Sequence, residues 1–534
     1  MSEGAAEGAA PDAPARRPRL FLDGAGAVVV LLALAVVSHA ALTPDGVAYL
    51  ENAELFAHGH WAQATQGYWS PGYSLLLVPA VWLAGADRER LLALAHIVQL
   101  LLGMWAIVLA ADAVRRHVPA PAQRAVFWGC AWVLLRWVSQ EFLTPDLLLC
   151  ALTCLFLARW PARNARQQVA LGVIAGAAML VKSSIWPALF VLLALAAARA
   201  VRRRLWRFPA FAVCAGALTV APYLLVLSVR AGHPTPGSVG RLNVEWYLGD
   251  LDRRSPDTDT RMHEAKRLLV PPGATPIAVF DLREGTRTYE PWSDPEAWAR
   301  GVPRDARPRL SARQAAESWI ENVVVVARWL LPVVVGLALC MWWTGAAGLA
   351  GDWRERLLGE PALVAGSVLA AQFLATHAEH RLLAPAALLW LLGTWPTGEG
   401  VPRRGMRWLT AALCLGVAVQ LALYAVPVAR VAFANDRSSA YLHAYLDAQR
   451  ERTHKSGVVI VGPADIWMSV LWRHHLRVAG QVGREGRAAL RALAEKARTQ
   501  TLQDAFGATA FGVGEVVMRR EAGQSRLEWN FSIW

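Results

Sequence analysis

The sequence predicts an α-helical polytopic membrane protein of about 11 transmembrane helices, N-terminus inside and C-terminus outside, with a small extracytoplasmic α/β domain at its C-terminal end. Three observations carry this. Of 534 residues, 55% are hydrophobic and only 18% charged, against about 25% charged in a typical soluble domain. Mean hydropathy is +0.30. Apolar runs that approach the roughly 20 residues needed to cross a bilayer recur along most of the chain. Finally, the arginines gather in every second gap between those runs.

The formal charge is +13, and of 54 basic residues only Lys182, Lys266, Lys455 and Lys496 are lysines. A basic chain first raises nucleic acid as a partner. Arginines confined to alternate loops assign the charge to membrane topology, so nucleic acid drops out and membrane lipids take its place. Cys130, Cys150, Cys154, Cys214, Cys340 and Cys414 all lie in apolar stretches. That placement suits neither a disulfide framework nor a zinc site built from paired cysteines.

In chain order, residues 1–23 are rich in Ala, Pro and Gly and read as a disordered cytoplasmic N-terminus. Residues 24–431 read as the membrane domain, with spans at about 24–42, 91–112, 125–138, 147–160, 169–182, 185–201, 208–229, 323–348, 361–376, 382–395 and 408–431. The first run ends near Ser38-His39-Ala40, which has the small-residue pattern of a signal cleavage site. Its length and the runs that follow favour an uncleaved anchor.

With the N-terminus inside, the inside loops hold Arg16, Arg17 and Arg19; Arg115, Arg116 and Arg124; Arg163 and Arg166; Arg202, Arg203, Arg204 and Arg207; Arg354 and Arg356; and Arg403, Arg404 and Arg407. The outside stretch Thr43–Ser70 has no basic residue. Asp87-Arg88-Glu89-Arg90 is the exception in this arrangement. Making Pro71–Gly85 a span would move it inside but invert the loop of Arg115 and Arg116, so Pro71–Gly85 is expected as a re-entrant or interfacial helix.

Outside loops are expected at 43–90 and 230–322, and residues 432–534 form the C-terminal domain. Gly457-Val-Val-Ile-Val-Gly-Pro463 reads as a buried strand and turn, an Arg/Ala-rich helix pattern follows near 484–499, and 508–518 and 526–533 read as strands.

Ionisable residues at membrane depth are costly and become functional candidates. Here they collect on the outside face. Asp45 stands just beyond the first span, with Tyr49 one helical turn on; the alternative role for Asp45 is a helix N-cap. Gly67-Tyr-Trp-Ser-Pro-Gly-Tyr73 then opens an apolar helix and offers Tyr68, Trp69 and Tyr73 for stacking on a sugar. Glu141, Thr144 and Asp146 lie at the border of the next outside loop, where Asp146 also suits a helix first turn.

Lys182 stands between two short apolar segments in a chain that otherwise uses arginine. A compact ammonium between helix ends suits a phosphate, with snorkelling to the interface as the alternative. His377, Glu379, His380 and Arg381 form a further outside cluster. The two histidines are i,i+3, unlike a zinc-protease signature, so no metal site is assigned. Carboxylates for proton abstraction, cations for a phosphate and aromatics for a sugar are together the equipment for glycosyl transfer from a lipid-phosphate donor.

These residues, in this order, resemble the integral-membrane C-superfamily glycosyltransferases. The nearest are family 39-type bacterial relatives of the protein O-mannosyltransferases and of the lipid A aminoarabinose transferase. The resemblance rests on Asp45, Tyr49, Ala53 and Gly59; on Tyr68-Trp-Ser-Pro-Gly-Tyr73; on Asp146, with Glu141 as competitor; on Gly172, Gly176 and Lys182; and on His380-Arg381-Leu-Leu-Ala-Pro385.

It implies an enzyme that moves a sugar from a polyprenyl-phosphate-linked donor to a lipid, glycan or protein acceptor, on the periplasmic face of a bacterial inner membrane. It further implies Asp45 as base or acceptor-orienting carboxylate, Asp146 or Glu141 as the second acid, and Lys182 and Arg381, with His380, near the donor phosphate. Tyr49, Tyr68, Trp69 and Tyr73 would line the sugar or acceptor. No cofactor is required by this set, and a divalent cation is compatible with it. The competing reading is a lipid or glycolipid transporter or flippase, which calls for mid-span charges and an inverted repeat.

Overall fold

The computed structural model describes residues 17–120, 122–138, 143–160, 164–202, 207–249, 267–269, 277–281, 287–296, 310–343, 360–393, 410, 458–461, 468–482, 511–521 and 524–533. The described chain is mostly helical. Its longer helices are α1 (Arg17–Ser38), α2 (Pro44–Ala57), α3 (Pro71–Ala84), α4 (Arg88–His117), α5 (Gln123–Trp132), α6 (Asp146–Arg159), α7 (Ala165–Val181), α8 (Trp186–Arg202), α9 (Arg207–Ala231), α10 (Val239–Leu248), α11 (Ala312–Trp343), α12 (Pro361–Ala375) and α13 (His380–Gly393).

Every apolar run expected up to residue 395 falls on one of these helices; the run at 411–431 lies outside the described residues. The first helix starts at Arg17, ahead of the expected border at residue 24. Among the described residues three helices are long and apolar enough to cross a membrane, at Leu20–Ser38, Arg88–His117 and Ala210–Ala231; five shorter apolar helices accompany them. Phe21, Val36, Leu218, Leu225 and Val229 stand exposed on the long helices. Large apolar side chains on that scale are unfavourable in water and at home in lipid. The chain is a membrane protein by this architecture.

Close helix packing is written into glycines. A Cβ on Gly172 of α7 would lie 2.1 Å from the Ala212 carbonyl oxygen of α9, and one on Gly176 would lie 2.6 Å from Thr219 Cβ. The Gly-x-x-x-Gly spacing therefore lets α7 and α9 meet backbone to backbone. Gly72, near the start of α3, works the same way against the end of α7: its Cβ would lie 2.9 Å from the Leu180 carbonyl oxygen, next to Lys182.

Helix α3 has Leu75, Leu76, Trp82 and Leu83 exposed on one side while Tyr73, Leu77 and Val81 are buried. It is too short to span.

The strands form one six-stranded sheet of order β1-β2-β4-β3-β5-β6, from β1 (Arg267–Leu269), β2 (Ile277–Asp281), β3 (Val458–Val461), β4 (Val478–Val482), β5 (Phe511–Glu521) and β6 (Gln524–Ile533). Strands β3, β4 and β5 pair in parallel, and the other pairings are antiparallel. Within the C-terminal segment the strands at 458–461, 511–521 and 524–533 match the expected ones in place, while the helix expected near 484–499 lies outside the described residues. The sequence did not signal that the 230–322 loop would supply β1 and β2 to the same sheet, with Val279 of β2 opposite Val482 of β4.

A short helix, α14 (Met468–Arg473), joins β3 to β4 and inserts Met468, Leu471 and Trp472 into the core. Arg88 of α4 packs over the Trp472 ring and donates to its carbonyl, and Arg473 donates to the Ala40 carbonyl at 2.5 Å. These contacts fix the sheet to the same end of the helices as α2.

Candidate active site

Helix α2 starts with Thr43 as N-cap, its hydroxyl accepting from Gly46 N at 3.2 Å, and with Pro44 in the first turn. Thr43 thus does the capping that Asp45 might otherwise have done, and the Asp45 carboxylate is available for other partners. Its Oδ2 lies 2.8 Å from Nη2 of Arg381, at the start of α13. Asp146 opens α6 without acting as its cap. It is 1% exposed, its Oδ1 accepts from Lys182 Nζ at 2.5 Å, and its Oδ2 accepts from the Thr144 hydroxyl at 2.8 Å and lies 3.8 Å from Arg381 Nη1.

Lys182 follows the last residue of α7 in an extended conformation, before a single 3-10 turn, Ser183–Ile185, leads into α8. The interruption of helix between α7 and α8 is what lets the ammonium point into the cluster. Four separate stretches of sequence therefore bring Asp45, Asp146, Lys182 and Arg381 together.

Glu379 completes the ring. Its Oε2 accepts from Arg381 Nε at 2.6 Å, and its Oε1 lies 2.8 Å from His377 Nε2. Burial pushes this carboxyl up, but the Arg381 guanidinium and His377 outweigh it and hold Glu379 well below the ordinary value of 4.5. The His377 ring stacks on Tyr247 of α10, with centroids 4.0 Å apart.

Asn322 of α11 ties down the turn that carries these groups. Its amide donates to the carbonyls of Leu374 and Thr376 at 3.2 and 3.0 Å, and its oxygen accepts from Ala378 N at 2.9 Å. His380 sits against Trp329, ring centroids 4.9 Å apart. Among the described residues no group of three or more His, Cys, Asp or Glu side chains could hold a metal ion.

The aromatic residues divide. Tyr49 and Tyr73 are buried, edge to face with centroids 5.4 Å apart, and Tyr73 donates to Gln99 Oε1 at 2.9 Å. Trp69 is buried too and donates to the Trp292 carbonyl at 3.0 Å. Tyr49 of α2 thus packs edge to face with both Trp69 and Tyr73. Tyr68 is half-buried, donates to Asn243 Oδ1 at 3.2 Å and packs against Trp246, which places it with α10. Glu141 lies outside the described residues.

One further network has no counterpart in the sequence pattern. Glu51 of α2 accepts from Thr288 N at 2.7 Å and from the Ser293 hydroxyl at 2.5 Å; Asn52 Oδ1 accepts from Arg287 at 2.8 Å and from Gln66 at 3.1 Å. All are buried. The first turn of α2 thus holds Asp45 in the cluster while its later turns bind the 287–296 segment. A Glu-Asn pair in a polar helix carries no signal of so distant a partner.

No protein-family model matches this chain, and no curated protein matches it in sequence. Four chains of solved structures do match in fold. One is the crystal structure of ArnT from Cupriavidus metallidurans bound to undecaprenyl phosphate, with a TM-score of 0.50 at 15% identity over 93% of each chain. At this identity the likeness concerns the fold alone: the chain shares the overall architecture of that structure.

Proposed function

We propose that this GT-C-like chain is a membrane glycosyltransferase. It moves a sugar from a polyprenyl-phosphate-linked donor to a lipid, glycan or protein acceptor on the periplasmic face of a bacterial inner membrane. The observation that carries the reading is the convergence of Asp45, Asp146, Lys182 and Arg381 from four stretches of chain into one ion-pair cluster. The structural neighbour was bound to a polyprenyl phosphate, which supports a lipid of that class as partner.

In this reading the donor phosphate exchanges into the network at Lys182 and Arg381, displacing carboxylate from the cations. Asp45, released from Arg381, takes the proton of the acceptor hydroxyl or amine as that group attacks the anomeric carbon. The bond from that carbon to the phosphate oxygen breaks, and the departing polyprenyl phosphate keeps the electron pair beside the two cations. Asp146 holds Lys182 in place, and Tyr68, beside α10, is the aromatic best placed to meet a sugar. Tyr49, Trp69 and Tyr73 pack together beside the cluster. The reaction needs no cofactor in this scheme.

The test is mass spectrometry of cell-surface glycolipids and glycoproteins from cells with and without the protein. A glycan linkage that depends on the protein supports the reading. Transport of a labelled lipid across vesicles with no new linkage formed would instead support a flippase.

A further inference from the structure

The donor reading leaves a problem of charge. Among the described residues, the cluster sets two cations, Lys182 and Arg381, against three carboxylates, Asp45, Asp146 and Glu379. Glu379 is held in its ionised form by Arg381 and His377. An anionic phosphate entering such a set meets a net negative site, and at close range in a partly desolvated setting like charges repel by several kcal/mol. A further cation is needed.

Arg136 is in the right place. Helix α5 ends in a single π-helical turn, Val133–Trp137, which runs toward the loop before Asp146. Turns of this kind are rare and concentrate at functional sites, where the extra residue re-aims a side chain. The Arg136 guanidinium lies over the ring of Trp329, 5.4 Å from its centroid, and the same ring is 4.9 Å from His380. His380 is in turn within electrostatic reach of Arg136, Arg381, Glu379 and Asp146. Arginine stacked on an aromatic ring is held in one orientation with little further entropy to lose, which suits bidentate recognition of a phosphate. In the proposed topology Arg136 also stands at the outside end of its span, where the positive-inside bias gives no reason for an arginine.

We infer that Arg136 is a third cation of the site and binds the phosphate head of the lipid-linked donor together with Lys182 and Arg381. The inference rests on the donor reading above. Trp329 then serves as the platform that positions it.

The test measures binding to the purified full-length protein in nanodiscs, with polyprenyl phosphate and uncharged polyprenol as the two probes. The wild type is expected to prefer the phosphate. Arg136→Gln should weaken phosphate binding about tenfold or more, the loss typical of one charge-assisted contact. It should leave polyprenol binding unchanged and make the salt dependence of phosphate binding shallower, and Arg136→Lys should recover part of the loss. Arg136→Met, which keeps an apolar stem against Trp329, serves if the Gln variant does not fold. A wild-type preference for phosphate that survives undiminished in the charge-removing variant overturns the role of Arg136 alone. A wild type with no preference for phosphate overturns the donor reading as well.

Discussion

Arg381 Nη2 lies 2.8 Å from Asp45 Oδ2, joining the beginning of α13 to the beginning of α2. The same guanidinium reaches Glu379 at 2.6 Å and Asp146 at 3.8 Å, so one arginine contacts three carboxylates from three stretches of the chain. It is 17% exposed. Replacing it with Gln leaves those carboxylates facing one another in a partly desolvated site. The expected cost is about 3–5 kcal/mol, as for a buried ion pair that loses one partner. A lowered thermal midpoint in detergent, together with loss of glycan transfer, is the predicted result for Arg381→Gln.

Lys182 and Asp146 allow stability and function to be separated. Lys182→Met alone strands a carboxylate that is 1% exposed and should destabilise the protein. Adding Asp146→Asn removes the stranded charge, so the double variant should regain most of the lost thermal stability. It should not regain glycan transfer, because one of the cations beside the departing phosphate is gone. Thermal melts and transfer assays on the two single variants and the double variant check both halves.

Asn322 is predicted to act through position alone. Its three hydrogen bonds hold the turn that presents Glu379 and Arg381. Asn322→Ala should cost about 1–3 kcal/mol for the buried groups left unpaired. Asn322→Asp, which keeps the acceptor for Ala378 N but loses the amide donors, should fall between. The readout is the transfer rate at saturating donor, which should fall in the same order as the thermal midpoint.

Glu379 makes a prediction about pH. Its folded-state value is depressed, so its contribution to stability is present above the ordinary carboxylate value of 4.5 and is lost as pH falls through the lower folded value. Thermal midpoints measured from neutral pH down to acid should therefore decline below about pH 4.5. Glu379→Gln should flatten that decline while lowering the midpoint at neutral pH.

Gly172 tests the packing of α7 on α9. A Cβ there would stand 2.1 Å from a backbone oxygen, which no side-chain rotation relieves. Gly172→Leu should prevent assembly of the two helices, read as loss of a monodisperse peak on size exclusion.

Much of this was legible in the sequence because membranes impose simple rules. Length of apolar run located the helices, and charges at the ends of runs picked out Asp45, Asp146, Lys182 and Arg381 before any geometry. Rules of that kind say nothing about partners distant in sequence. Glu51 and Asn52 read as ordinary polar residues of a short helix, yet they bind Thr288, Ser293 and Arg287. Strand β2 lies in a loop and finds β4 near the end of the chain. Aromatics near a charged cluster mark Tyr49 and Tyr73 as candidate sugar contacts in the sequence, but nothing in the sequence shows that the two rings are buried edge to face against each other. Arg136 was hidden because a π-helical turn has no sequence signature.

A base at Asp45 that takes the acceptor's proton is removed by a single substitution. Asp45→Asn keeps the size of the side chain and a hydrogen-bond acceptor for Arg381 but removes the base. Cells lacking the protein should be complemented with the wild type or with Asp45→Asn at equal membrane levels, and the protein-dependent glycan quantified by mass spectrometry. The account predicts that the glycan returns with the wild type and stays absent with Asp45→Asn. Full restoration of the glycan by Asp45→Asn would contradict it.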